Sequence, residues 1–140
     1  MLQLVYIHQS TTSGGYMNKP VNVKSLEIEI ANFINAFIKE GSGKGPKVTT
    51  VKVVDNVLIY FLNGIFTPLE KKLLETEEGK RHILEGRRLY VKVREKQRKA
   101  EIERIVGLKV VKDYYSWNID DDSALSVVVF EENILDGNRN

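Results

Sequence analysis

Val57-Leu58-Ile59-Tyr60-Phe61-Leu62-Asn63-Gly64-Ile65-Phe66-Thr67-Pro68-Leu69-Glu70 holds a strand, its stop and a helix start in one short stretch. The run Val57 to Leu62 is rich in β-branched and aromatic residues, and Asn63-Gly64 ends it. At Thr67 the threonine hydroxyl accepts from an orphan helix amide. Pro68 occupies the first helical position, where no donor is needed, and Glu70 reaches back to the cap. Strand and helix are therefore joined by a few residues, which puts sheet and helices in one unit.

Upstream, Val48 to Val54 is a second strand-like run, and Asp55-Asn56 between the two tolerates positive φ. The pair reads as a β-hairpin. Before it, Leu26, Ile30, Phe33, Ile34, Phe37 and Ile38 form the apolar stripe of a helix over Val23 to Glu40. Asn22 or Ser25 caps that helix, and Gly41-Ser42-Gly43-Lys44-Gly45-Pro46 ends it. Downstream, Leu69, Leu73 and Leu74 give the short helix an apolar face. Thr76-Glu77-Glu78-Gly79 caps a longer helix that runs to about Val106, where Gly107 stops it. Leu108 to Trp117 and Ala124 to Phe130 form a second hairpin across Asp120-Asp121-Asp122. The order α-β-β-α-α-β-β predicts an α+β fold, a four-stranded sheet of two hairpins with helices packed on one face. Local hairpins leave the strand order open.

The 140 residues suit one domain, with 42% hydrophobic and 29% charged residues, the balance of a folding globular chain. We assign residues 22–132 to a single α+β domain, 1–21 to an N-terminal extension and 133–140 to a frayed tail. Gly14-Gly15 ahead of Met17 is the pattern expected if Met17 is the true start. Cysteine is absent, so disulfides, thiolate metal sites and cysteine nucleophiles are excluded. The longest wholly apolar run, Val57 to Leu62, is far below the roughly 20 residues of a membrane span. Leu2 to Ile7 is too short for a secretory core and lacks basic residues before it.

Chemistry-bearing motifs are sparse. Gly41-Ser42-Gly43-Lys44-Gly45 resembles a phosphate loop in composition, but it follows a helix, precedes a strand and has Gly45 where Ser or Thr is required. It reads as a connector. His8 lies in the extension, and His82 has only Glu78 and Glu85 at helical spacing, with no second histidine for a metal. Asp120-Asp121-Asp122 lacks the alternating ligands of a calcium loop. No base is placed to activate a Ser, Thr or Tyr. The expectation is no catalytic residue, no metal and no cofactor.

Charge is the sharper signal. Residues 80–104 hold ten Lys or Arg and four Glu, a charge of +6, against −4 for the remainder of a chain of +2. Lys92 to Lys99 is almost wholly charged, so the middle of this helix is expected to face solvent. A basic helix can follow an anionic membrane surface or a phosphate backbone. The interspersed glutamates and the mild overall charge stand against nucleic acid, and a KH-like module would need a Gly-x-x-Gly loop that is absent.

The segment Leu26 to Glu132 resembles the MpsC-like family, earlier designated DUF2294. The likeness rests on Leu26-Glu27-Ile28-Glu29-Ile30-Ala31, Gly43-Lys44-Gly45-Pro46, Leu62 to Glu70, Thr76-Glu77-Glu78-Gly79 and Gly107-Leu108-Lys109-Val110-Val111, in that order. It implies a small bacterial protein, cytoplasmic or peripheral to the inner face of the membrane. Its implied partner is a membrane complex for sodium or bicarbonate transport or for generating membrane potential. It brings no catalytic residues. The chain departs from the family in its basic long helix, where relatives often carry an acidic one.

The expected activity is that of a non-enzymatic accessory protein with no transmembrane segment. Its contact surface is expected at Thr67, Pro68, Glu70, Thr76, Glu77 and Gly79, with Arg87, Arg88, Lys92, Arg94, Lys96 and Arg98. The alternatives are a nucleic-acid-binding module using 80–104 and a small-molecule-binding domain with a pocket between sheet and helices. Val91 and Val93 on an otherwise polar helix, together with open strand edges, point to a homodimer.

Overall fold

In the computed structural model, which describes residues 4–5 and 21–136, the chain runs β1 (Leu4–Val5), β2 (Val21–Asn22), α1 (Val23–Ser42), β3 (Val48–Val54) and β4 (Val57–Asn63). It continues through α2 (Pro68–Leu73), α3 (Glu77–Val106), β5 (Val110–Asn118) and β6 (Ser123–Phe130). The Gly14-Gly15-Tyr16-Met17 stretch and His8 lie outside the described residues. The α+β class and the element order follow the sequence reading, with the small antiparallel pair β1–β2 in addition.

The strand order is β3-β4-β6-β5, antiparallel throughout. Each predicted hairpin forms, and the hairpins meet through β4 and β6, where Val57 faces Val129 and Asn63 faces Ser123. At the first hairpin Asp55 takes a φ of 54°, the left-handed conformation that aspartate tolerates. Thr67 and Glu70 make the full capping box, with Pro68 at the first turn. Asn22 caps α1, its side chain accepting the Ser25 N–H at 3.0 Å. Gly43, at φ 86°, closes α1 in the left-handed form that glycine adopts without strain.

Strand alternation gives the sheet two unlike faces. Val51, Val53, Leu58, Tyr60, Leu62, Val128 and Phe130 are buried on the helix side. They pack with Ile30 and Ile34 of α1 and Ile102 and Val106 of α3. The far side carries Ile59, Phe61, Leu125, Val127 and Tyr114, which the register sets beside one another across β4, β6 and β5. Phe61, Leu125 and Tyr114 stay exposed.

Two segments differ from the sequence reading. Fraying is expected from residue 133, yet Ile134 is fully buried and its N–H donates to the Asp55 carbonyl at 2.9 Å. An apolar side chain two residues beyond the acidic pair Glu131-Glu132 fills the end of the core under the β3–β4 turn. At α2, the expected apolar face of Leu69, Leu73 and Leu74 is covered only at Leu74, which packs partly buried against the core just past the helix. Leu69 is 70% exposed, and the helix buries none of its residues.

Candidate functional site

The charged stretch of α3 does not face solvent throughout. Ile83, Arg87, Arg98, Ile102 and Val106 are all buried on one side of the helix, and their spacing of 4, 11, 4 and 4 is that of one helical stripe. Arg94 belongs to the same stripe. Arginine thus occupies core-facing positions that leucine would normally take, and its long stem packs while its head needs partners. Composition alone makes every charge here look solvated. The signal that separates them is the register: Ile83 and Ile102 fix the inward face, and 87, 94 and 98 fall on it.

Each of the three arginines meets a different environment. Arg87 forks onto Glu70, with Nε donating to Oε2 at 2.7 Å and Nη2 to Oε1 at 2.5 Å, and Nη2 also donates to the Ile65 carbonyl at 3.2 Å. Its guanidinium lies 5.7 Å from the ring centres of both Phe66 and Trp117. Glu70 meanwhile accepts the Thr67 N–H at 2.9 Å, so one carboxylate closes the cap of α2 and ties it to α3. Burial opposes ionisation of Glu70, but the bonds from Arg87 and Thr67 win and hold its pKa below the ordinary carboxylate value.

Arg98 donates to the Tyr60 hydroxyl at 2.8 Å and pairs with Asp113 of β5. Burial works against the Arg98 cation, while Tyr60 and Asp113 raise its pKa. Burial pushes the Asp113 carboxyl up in spite of Arg98, and its Oδ1 has no hydrogen-bond partner among the described residues. Burial also raises Tyr60. Arg94 sits over Phe37, with its guanidinium carbon 3.9 Å from the ring centre, and donates to the Tyr90 hydroxyl at 3.1 Å. Gly41, near the end of α1, makes this possible, since a Cβ there would overlap the Tyr90 hydroxyl and Arg94 Nη1.

These side chains roof a cavity of about 80 Å³ between α1, α3 and the sheet. Phe37, Tyr60, Leu62, Val91, Trp117 and Ser126 form much of its wall, and Arg87, Arg94 and Arg98 reach into it. A mainly apolar wall with a few convergent polar groups is the usual character of a small-ligand site. Among the described residues no group of three or more His, Asp or Glu is placed to hold a metal ion. Asp122, from the acidic turn, braces the chain between β4 and α2, because its Oδ1 accepts the N–H groups of Ile65 and Phe66 at 2.8 and 3.1 Å. Lys44 is likewise a connector, donating to the carbonyls of Gly45 and Gly64.

The twelve residues expected at a contact surface do not share one face. Thr67, Pro68, Glu70, Thr76, Glu77 and Gly79 gather at the junction of α2 and α3, where Gly79 is buried and Pro68, Thr76 and Glu77 are exposed. Arg88, Lys92 and Lys96 are exposed on α3, and Arg88 is held by Glu85. Arg87, Arg94 and Arg98 turn to the cavity.

The family model described as Na+-translocating membrane potential-generating system (MpsC) matches residues 22–132. The protein named Uncharacterized protein YrhF of Bacillus subtilis (strain 168) is 28% identical over 107 residues, spanning 76% of this chain and 88% of that protein. No solved structure matches.

Proposed function

The chain belongs to the MpsC family, and from that premise we propose that it is a non-enzymatic accessory protein of a membrane system that translocates sodium or generates membrane potential. It would meet that system at the cytoplasmic surface. None of the helices among the described residues is long and apolar enough to cross a membrane, so the proposed attachment is through a partner.

The observation that carries this reading is α2. It is a six-residue helix with no buried residue, yet it is fixed at its start by a capping box and by the Glu70–Arg87 pair. So short a helix has no stability of its own, and here it is held with Leu69 and Leu73 turned outward beside Lys71 and Lys72. A rigid, exposed apolar pair rimmed by cations is the form of a protein contact. The basic residues Arg81, Lys92 and Lys96 extend the same positive character along α3.

Co-purification of the full chain from native membranes in mild detergent tests this. The expected result is recovery with a multi-span ion-translocating protein, lost in Leu69→Asp. A chain found only as a free soluble species overturns it.

The nucleic-acid reading has less support. Of its six side chains, Arg87 and Arg98 are paired inside the fold, Arg94 is turned into it and only 15% exposed, and Arg88 is held by Glu85, leaving Lys92 and Lys96. Two phosphate contacts give weak, shallowly salt-dependent binding. Tight binding to mixed DNA or RNA at about 50 mM salt would restore it.

A further inference from the structure

The cavity beneath α3 has one cation more than its carboxylates balance. Arg87 is matched by Glu70 and Arg98 by Asp113. Arg94 is matched only loosely. Its side chain is only 15% exposed, and the nearest carboxylate, Glu40, stands 3.9 Å from Nη2 on a side chain that is 74% exposed. That distance is too long for a hydrogen bond, and a carboxylate so exposed is already hydrated. Phe37 satisfies the face of the guanidinium and Tyr90 takes one donor at its edge, but a guanidinium presents five donors in one plane. With Glu40 out in solvent, three arginines and the two covered carboxylates Glu70 and Asp113 leave the enclosed charge at +1.

We propose that this cavity binds a small monocarboxylate, its carboxylate forked onto the free edge of Arg94 and its apolar body against Phe37, Val91 and Trp117. The charge selects the class. A monoanion brings the enclosed charge to zero, whereas a dianion such as phosphate would leave one negative charge desolvated and unpaired. A cation would add to the surplus. A planar carboxylate also matches the fork geometry of arginine. Size sets the scale: at about 10–15 Å³ for the smallest water-holding space, 80 Å³ has room for a ligand of several heavy atoms. Because Arg94 lies inside the fold, the occupant is a free small molecule rather than a side chain on a partner's surface.

Phe37 and Gly41 are what make Arg94 available. Contact with the Phe37 ring and the bond to Tyr90 hold the guanidinium in place, and the missing Cβ of Gly41 lets Tyr90 and Arg94 sit close against the end of α1. A pre-positioned donor loses less entropy on binding than a mobile one. Binding here is independent of the membrane partner, since the ligand touches no residue of α2.

Trp117 is the chain's only tryptophan and lines the cavity, so its fluorescence reports occupancy. The full chain is titrated with isovalerate and with benzoate, and with isovaleramide and isoamylamine as neutral and cationic counterparts. The expected result is a saturable change in Trp117 emission and a rise in Tm with at least one carboxylate and with neither counterpart. Arg94→Gln, folded by circular dichroism, should weaken binding at least about tenfold, as loss of a charged hydrogen bond requires. Arg94→Lys, which keeps the charge without the fork, should fall between. The proposal is overturned by equal binding of acid and amide, by unchanged affinity in folded Arg94→Gln, or by no saturable response from the wild type up to about 10 mM, past the millimolar range. If Arg94→Gln does not fold, the comparison of acid with amide on the wild type decides. Failure here leaves the proposed accessory role standing, because that role rests on α2.

Discussion

Glu27 of α1 accepts the backbone N–H of Val53 at 2.9 Å, placing a helix carboxylate on the outer edge of strand β3. The bond is buried and joins residues 26 apart in the chain. It occupies a donor that an edge strand would otherwise offer to another chain. Glu27→Ala should therefore cost about 1–3 kcal/mol, the penalty for an unsatisfied buried donor, and should raise the aggregation rate. Glu27→Gln retains an acceptor and should lose less. Urea unfolding read beside light scattering checks both.

Arg87 and Glu70 are mutually dependent. Removing either leaves the other's charge covered and unpaired, so Arg87→Ala should cost about 3–5 kcal/mol. A double-mutant cycle with Glu70→Ala should show strong coupling, because the two groups share their bonds. Independent, additive losses in that cycle would contradict the pairing.

Acid and mild pH should act on Glu70 and Asp113 with opposite sign. The Glu70 pKa is lowered on folding, so the unfolded chain holds more protons and stability rises with pH up to the unfolded value of about 4.3. The contribution is complete above that value and is lost as pH falls through the folded pKa. The Asp113 pKa is raised, so stability falls as pH climbs from about 3.9 toward the folded value. Glu70→Gln should flatten the rising limb of Tm against pH, and Asp113→Asn the falling limb.

Two glycines of α3 should respond oppositely to alanine. A Cβ on Gly79 would overlap the Leu73 carbonyl, a backbone atom of the α2 end that cannot swing aside, whereas Gly86 has open space around it. Gly79→Ala should destabilise by about 1–3 kcal/mol through overpacking. Gly86→Ala should stabilise by about 0.5–1 kcal/mol through helix propensity. Thermal unfolding of the pair is the measurement.

We expect the uncovered sheet face to be where two copies would meet. Phe61 and Leu125 are register partners there, both exposed, and a facing copy could bury them. Light scattering at micromolar concentration should report a dimer, converted to monomer by Phe61→Lys. A monomeric wild type would remove this reading and return the apolar face to an unassigned role.

The sequence is legible where neighbouring residues decide the structure. The cap at Thr67-Pro68-Leu69-Glu70 and the turn at Asp55-Asn56 are set by side chains within a few positions, and both form as expected. The meeting of β4 with β6 is a choice between distant edges, on which no local residue bears. Arg87, Arg94 and Arg98 are hidden for another reason: a charge at a core-facing position has the composition of a solvated surface, and only its register against Ile83 and Ile102 separates the two. Ile134 escapes notice because the acidic pair before it suggests an end to the fold.

The pairing of β4 with β6 also sets an order of events during synthesis. The first hairpin is complete at Asn63, but its inner edge receives its partner only when Ser123–Phe130 has been made, about 67 residues later. At about 5–20 residues per second, the unpaired backbone edge of β4 waits roughly 3–13 s on the ribosome. In that interval α1 and Glu27 already guard the opposite edge, so the nascent chain has one bare strand edge rather than two. Fast synthesis of residues 64–122 would shorten that window, and a pause within them would lengthen it.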